Sequence, residues 1–284
     1  ASCSDRKPAN SRINIAHIGV GDRGTAELVY YLLPLRGAVN LAVCDVFKER
    51  REKAVETINA FYRKNNDPVP QCTAYLDFEE ILQRDDIDAV HITTPDHWHV
   101  PAAIKAARAG KHVWCEKPMA MTVRECQSMI DACRDNKRSL AIGYRLQHEP
   151  HTKEFSRIVQ KGLLGKVKNL QCSAVYRETR TDHWKQKKGM GGGVLGDMGV
   201  YAIQGARLGT NMEPLSVVSA TFSTNRPDVY RNGLPEIAEA RLSFPGGVMA
   251  DIKTSSAENI NSLDINFEKG NLKMSPYQSY AGLH

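Results

Sequence analysis

The chain has 284 residues, enough for two domains of ordinary size, each with its own core. Hydrophobic residues make up 42% and charged residues 25%, as in soluble globular proteins, and no run approaches the roughly 18 apolar residues of a transmembrane span. The net charge of +6 is a mild excess whose one basic knot, Lys185-Gln186-Lys187-Lys188, lacks interleaved aromatics. That argues against nucleic acid as a partner and suits a phosphate-bearing cofactor or an anionic substrate.

The first residues, Ala1-Ser2-Cys3-Ser4, open a polar stretch through Arg12, read as an N-terminal tail over 1–11. A small-small-Cys start resembles the remnant of a bacterial lipoprotein leader with Cys3 lipidated, and a tag scar or arbitrary boundary explains it equally. Location therefore stays open between export (periplasmic, or a lipoprotein through Cys3) and the cytoplasm. The seven cysteines are odd in number and form no Cys-x-x-Cys, and Cys44, Cys115 and Cys172 fall in predicted strands. They read as free buried thiols.

Residues 13–19 read as a buried strand, followed by a helix from Asp22 to Leu33 that Pro34 stops. A second strand covers 39–45 and a charged amphipathic helix runs from Phe47 to Lys64. A short strand at 71–75, a short helix at 77–84 and a strand at 87–92 follow. Asp96 caps a helix that Gly110 ends. A strand at 111–115, a helix at 122–137 and a strand at 139–143 complete an alternation that predicts a doubly wound parallel sheet with helices on both faces. Beyond residue 145 the pattern changes to a helix at 151–161, a strand at 166–176, a polar loop and a helix at 192–208. Strands follow at 214–223, 236–244, 247–255, 260–267 and 270–274, with Phe244-Pro245-Gly246-Gly247 as a hairpin turn. The fold class is therefore α/β: a Rossmann domain over 12–140, then a domain over 141–284 carrying a large, mostly antiparallel open sheet.

The run Gly19-Val20-Gly21-Asp22-Arg23-Gly24 follows a buried strand and opens a helix, the context a dinucleotide-binding turn requires. Gly19 permits the tight turn, Gly21 lets the backbone approach a pyrophosphate, and Gly24 allows close helix–strand packing. The helix N-terminus offers unpaired N–H groups and partial positive charge to the phosphates. Asp45 ends the second strand, 21 residues after Gly24, where a carboxylate accepts from ribose hydroxyls and repels a 2′-phosphate. NAD is thus favoured over NADP, although Lys48, Arg50 and Arg51 follow at once and keep NADP possible.

Glu116-Lys117-Pro118 lies just past the carboxyl end of a strand, at the cofactor edge, where a lysine polarises a carbonyl or lowers the pKa of a neighbouring acid. Together with Thr93-Thr94-Pro95-Asp96-His97-Trp98-His99, it resembles the Gfo/Idh/MocA oxidoreductase family from about Ile13 to the 270s. The resemblance is closest to the glucose-fructose oxidoreductase branch, through Cys115–Ala120, Ile142-Gly143-Tyr144-Arg145 and the segment from Gly191 to Tyr201. It implies that Lys117 is catalytic beside the nicotinamide. It also implies that Gly19, Gly21, Asp22, Arg23, Gly24, Asp45, Thr94, Pro95, Trp98, His99, Glu116 and Lys117 line the cofactor. Tyr201 stands where many members carry histidine, four residues after Asp197. On one helix the two share a face, and a nearby Lys117 ammonium would let Tyr201 exchange a proton with a substrate hydroxyl.

Asp197, Tyr201 and Arg145 are expected at the substrate, although a salt bridge explains Arg145 equally, and His183 and Trp184 are expected to close over it. No metal site is expected, because His97 and His99 find no third ligand. Gln204 replaces a second acidic residue common in the family, so those relatives' substrate contacts do not transfer. Family members ordinarily continue past the position of His284, which implies either a trimmed C-terminus or a compact member. The reading is an NAD(P)-dependent oxidoreductase of a sugar, polyol or related cyclic alcohol, assembled as a homo-oligomer, dimer or tetramer, through its second sheet. Two other readings stand beside it: a cofactor-retaining glycosidase using transient oxidation, against which the intact Lys117 argues, and a non-catalytic nucleotide-binding regulator.

Overall fold

The computed structural model describes residues 12–278 except Asn232, so Cys3 and the tail lie outside the described residues. The chain divides into two compact units, the first ending at Gly143 and the second beginning at Tyr144.

The first unit holds six parallel strands: β1 (Ile13–Ile18), β2 (Ala38–Cys44), β3 (Thr73–Tyr75), β4 (Ala89–Ile92), β5 (His112–Cys115) and β6 (Leu140–Ile142), in the order β3-β2-β1-β4-β5-β6. The helices are α1 (Asp22–Glu27), which continues as a π turn over Leu28–Leu32, α2 (Lys48–Lys64), α3 (Phe78–Leu82), α4 (His99–Arg108) and α5 (Val123–Asp135). Every residue of β2 is buried, as a strand covered on both faces must be. α2 is charged almost throughout, yet Ala54, Ile58 and Tyr62, four residues apart, form the stripe that meets the sheet. Asp96 does not cap α4. It opens a short 3-10 turn behind Pro95, whose ring already fixes the entry to the helix, and α4 proper starts at His99. The strand order reverses between β1 and β4, so the loops leaving these two neighbours part and leave a crevice at their carboxyl ends.

The second unit contains α6 (Pro150–Gln160), β7 (Val167–Val175), a π turn at Leu195–Gly199 leading into α7 (Val200–Thr210), then β8 (Ser216–Ser223), β9 (Ile237–Ser243), β10 (Met249–Ser255), β11 (Asn261–Phe267) and β12 (Asn271–Met274). The sheet order is β12-β11-β7-β10-β9-β8. All neighbours are antiparallel except β7 and β10, whose connection passes through α7, β8 and β9 before returning. α7 packs Ala202 and Ala206 into a core with Cys172, Leu263 and Ile265. β8 exposes every residue, Val217, Val218 and Phe222 among them. Among the described residues no helix is long and apolar enough to cross a membrane. The six described cysteines are free, and burial pushes the Cys44 and Cys72 thiols up to about 12, which leaves them chemically quiet.

Candidate active site

The glycine turn is built by close approach. Gly19 has φ +89°, and its Cβ would lie 2.9 Å from the Thr93 carbonyl carbon and the Thr94 nitrogen. A Cβ on Gly24 would lie 2.4 Å from Thr93 Oγ1 and 2.6 Å from Gly19 O. The loop after β4 therefore presses on the turn after β1, and side chains are excluded where they meet. At Gly21, the N-cap of α1, the nearest neighbour of a Cβ would be the Arg50 guanidinium at 3.5 Å, so that backbone face is open. Asp22 is the first helical residue.

Asp45 follows β2 and is buried. One oxygen accepts from Val20 N at 2.9 Å and the other from Phe47 N at 2.9 Å, which holds the carboxylate beside the turn. Arg51 donates to Asp45 O at 3.0 Å, and Arg50 stacks on the Phe47 ring at 4.5 Å. Thr94 Oγ1 is buried with no partner among the described residues. An orphaned hydroxyl at the carboxyl edge of β4, an open Gly21 backbone and a fixed carboxylate after β2 together fit a nicotinamide dinucleotide.

Pro95 leads into the turn that carries Trp98, which is 46% exposed and meets the Phe78 ring edge-on at 6.2 Å. His99 is buried and used as a clasp: Nδ1 lies 2.7 Å from Pro118 O and Nε2 3.0 Å from Thr94 O. It ties the β4 loop to the Glu116-Lys117-Pro118 turn after β5, whose Lys117–Pro118 bond is cis.

Behind this edge lies a buried polar chain that the sequence reading missed. Glu27 Oε1 pairs with Arg23 at 2.5 Å, and Arg23 also reaches Glu116 at 3.3 Å. Glu27 Oε2 lies 2.8 Å from His91 Nε2, His91 Nδ1 lies 3.2 Å from His17 Nδ1, and His17 Nε2 lies 2.9 Å from Asn40 Oδ1. Asn40 continues the chain to Tyr62 Oη at 2.9 Å. Burial, then the neighbouring imidazole, lowers His17 to about 3; burial lowers His91 to about 4. Burial, reinforced by Glu27, raises Glu116 to about 7. With both imidazoles neutral, each link needs one donor. Two directions satisfy the chain: His17 Nε2–H donates to Asn40 Oδ1 and His91 Nδ1–H to His17, or, with the Asn40 amide turned, His17 Nδ1–H donates to His91 and His91 Nε2–H to the Glu27 carboxylate. The second direction keeps the Glu27–Arg23 ion pair intact and leaves the proton of the two acids on Glu116.

A pH dependence follows. Unfolded imidazoles take up protons near 6.5 while the folded ones stay neutral, so their contribution to stability is complete above 6.5 and is lost on acidification towards 4. Glu116 acts oppositely: the folded carboxyl keeps its proton up to about 7 and the unfolded one releases it near 4.5, so stability falls with rising pH in between. Two imidazoles outweigh one carboxyl in the shared window. Thermal melts are expected to show the midpoint falling from pH 6.5 to pH 4.5; a midpoint that is flat or rises on acidification contradicts the neutral pair.

In the second unit, Asp197 sits in the π turn and Tyr201 in the first turn of α7, both buried. The simple i,i+4 helical face expected of them is thus interrupted, because π geometry adds about one residue per turn. Asp197 is gripped instead by residues the reading had not paired with it: Lys185 Nζ at 2.8 and 2.9 Å, and Tyr176 Oη at 3.0 Å. The Tyr176 hydroxyl donates, and burial, with the Asp197 charge, raises its pKa well above the usual phenol range. His183 caps the short turn Trp184–Gln186, and its ring lies 5.7 Å from that of Trp184. Arg145 pairs with Glu149 one turn ahead. No group of three or more His, Cys, Asp or Glu side chains able to hold a metal occurs among the described residues.

Residues 13–144 match the oxidoreductase family with an NAD-binding Rossmann fold, and residues 152–273 match the GFO/IDH/MocA C-terminal domain. The crystal structure of an aldose-aldose oxidoreductase from Caulobacter crescentus, complexed with glycerol, superposes with a TM-score of 0.83 at 30% identity, covering 95% of this chain and 79% of that one. A myo-inositol 2-dehydrogenase from Lactobacillus plantarum shares the fold at 21% identity and a TM-score of 0.78, covering 93% of this chain and 77% of that one. An uncharacterized oxidoreductase of Rhizobium meliloti is 37% identical over 186 residues, 64% of this chain and 53% of that protein. An alpha-N-acetylgalactosaminidase of Shewanella oneidensis is 30% identical over 181 residues, 64% of this chain. The match covers about half of the Rhizobium protein and 38% of the Shewanella one.

Proposed function

The chain belongs to the Gfo/Idh/MocA oxidoreductase family, and from that premise we propose that it is an NAD(P)-dependent oxidoreductase of a sugar, polyol or related cyclic alcohol. The observation that carries the reading is the cofactor edge: a glycine turn closed against the β4 loop, with the orphaned Thr94 hydroxyl and the Asp45 carboxylate beside it. NAD is the preferred cofactor, since the buried Asp45 carboxylate opposes a 2′-phosphate. Gly19, Gly21, Asp22, Arg23 and Gly24 hold the pyrophosphate, and Thr94, Pro95, Trp98, His99 and Glu116 frame the nicotinamide end. When bound, the nicotinamide supplies the hydride acceptor or donor.

In this reading Asp197 receives a substrate hydroxyl and orients the carbinol carbon. Lys117 is the cation that keeps Tyr201 ionised, and the Tyr201 phenolate oxygen takes the hydroxyl proton, ending as the neutral phenol, as hydride leaves to the nicotinamide. Arg145, His183 and Trp184 border the substrate. The exposed apolar residues of β8 suit a second copy of the chain, giving a dimer or tetramer. Native mass spectrometry for bound NAD or NADP, followed by a sugar and polyol panel read at the reduced-nicotinamide band, tests the proposal. Michaelis constants favouring NADP by about tenfold would reverse the cofactor preference.

The Shewanella relative supports a second reading, a glycosidase that keeps its cofactor and labilises the glycosidic bond by transient oxidation. Intact Glu116-Lys117-Pro118 speaks for the dehydrogenase. Release of nitrophenol from aryl glycosides without net reduced nicotinamide would select the glycosidase.

A further inference from the structure

Lys185 belongs to the one basic knot of the sequence, a cluster that the functional reading leaves unused. The knot is not a solvated stripe. Its neighbour Gln186 is buried, accepting from His183 N at 2.8 Å and donating to Arg180 O at 2.6 Å, which folds the loop onto itself. The loop then lies against the glycine run. Gly192 has φ +67°, and a Cβ there would fall 2.6 Å from Lys185 O and 2.7 Å from Lys185 Cα. Only glycine permits both that backbone conformation and that approach.

The backbone of Lys185 is thus fixed, and its ammonium meets both oxygens of Asp197 at 2.9 and 2.8 Å. Tyr176, just past the end of β7, closes the carboxylate from another element. The same ammonium lies 5.5 Å from the Tyr176 ring centroid and 5.9 Å from that of Trp184, so aromatic faces flank it. The contrast within the knot is instructive: the Lys187–Asp182 pair is exposed on both sides, whereas the Asp197 side chain is 9% exposed. A surface pair holds little, while a carboxylate withdrawn from water depends on its cation.

We propose that Lys185 is a positioning residue for Asp197. Delivered by the Gly192 contact and braced by Tyr176, it keeps Asp197 ionised, oriented and charge-balanced, so that a neutral polyhydroxylated substrate meets a fixed acceptor. The inference rests on the reading of Asp197 as a substrate ligand, and two measurements separate the pair from that reading.

The first is competitive trace acetylation with acetic anhydride, read by mass spectrometry on the full chain. Lys185 is expected to react about tenfold more slowly than exposed Lys188, and Asp197→Asn is expected to bring the two within about threefold. The second is kinetics. Lys185→Met is expected to lower kcat/KM for the best sugar or polyol by about 30-fold, with NAD affinity unchanged within about twofold, and Lys185→Arg to recover all but about fivefold, because a guanidinium grips a carboxylate with two bonds. Equal acetylation of Lys185 and Lys188, wild-type turnover in Lys185→Met, or equal losses in the Met and Arg variants with lowered melting points each overturn the inference. A wild type inert to every sugar and polyol, with Lys185 still protected by Asp197, overturns the functional reading and leaves the pair standing.

Discussion

Lys117→Ala is expected to lower kcat by about 10³-fold while NAD affinity, followed by fluorescence titration, changes by less than about tenfold. The residue lies past the end of β5, in a turn held to the β4 loop by the His99 clasp, so its backbone position owes little to its own side chain. Alanine should therefore preserve the turn and remove the ammonium alone. In the proposed reaction that ammonium keeps Tyr201 in the phenolate form that accepts the substrate proton, so its loss removes the base and falls on kcat rather than on cofactor binding. Turnover unchanged in Lys117→Ala removes the mechanism, whatever the cofactor.

Glu27→Ala is expected to destabilise the protein by about 2–3 kcal/mol, measured by urea unfolding, because it leaves the buried His91 Nε2 without its partner and the half-buried Arg23 with Glu116 alone. Glu27→Gln discriminates between causes. Its amide can either donate to or accept from a neutral His91 Nε2 and loses only the charge facing half-buried Arg23, so it should cost about 1 kcal/mol. Were Glu27 held there as a carboxylate accepting from an imidazolium, the glutamine variant would lose a full ion pair and approach the alanine value. Equal losses in the two variants would therefore contradict a neutral His91.

Much of this architecture is legible in the residues. The alternation of apolar runs with amphipathic stretches locates the strands of both sheets, and the glycine spacing after β1 marks the crevice where the strand order reverses. The parallel pairing of β7 with β10 is not legible, because the strands of the second unit carry no mark of their partners and the crossover through α7 gives no local signal. The π turn at Leu195–Gly199 escapes for a related reason: its residue pattern is that of a helix, and the extra residue per turn appears only in hydrogen bonding. The sequence draws attention to Asp197 and Tyr201, but not to the partners of Asp197. Lys185 and Tyr176 come from a loop and a strand end, 12 and 21 residues before Asp197, and neither helical nor strand spacing joins them to it.

The buried chain did leave a trace in the sequence. His17, Asn40 and His91 interrupt the buried apolar runs of three strands, and His17 pairs directly with His91 in the β1–β4 register. Polar residues at matched positions of neighbouring strands signal a shared interior contact, because each alone would be too costly to bury.

That chain also makes the nucleotide-binding unit its own spectroscopic gauge. Neutral, fully buried imidazoles exchange their ring protons with water only when the surrounding sheet opens. Nitrogen-15 spectra of His17 and His91 would therefore carry two separate messages from wild-type protein without any introduced label on the surface. The tautomer of each ring records which way the hydrogen bonds run, and the lifetime of its N–H records how often the sheet between β1 and β4 breathes.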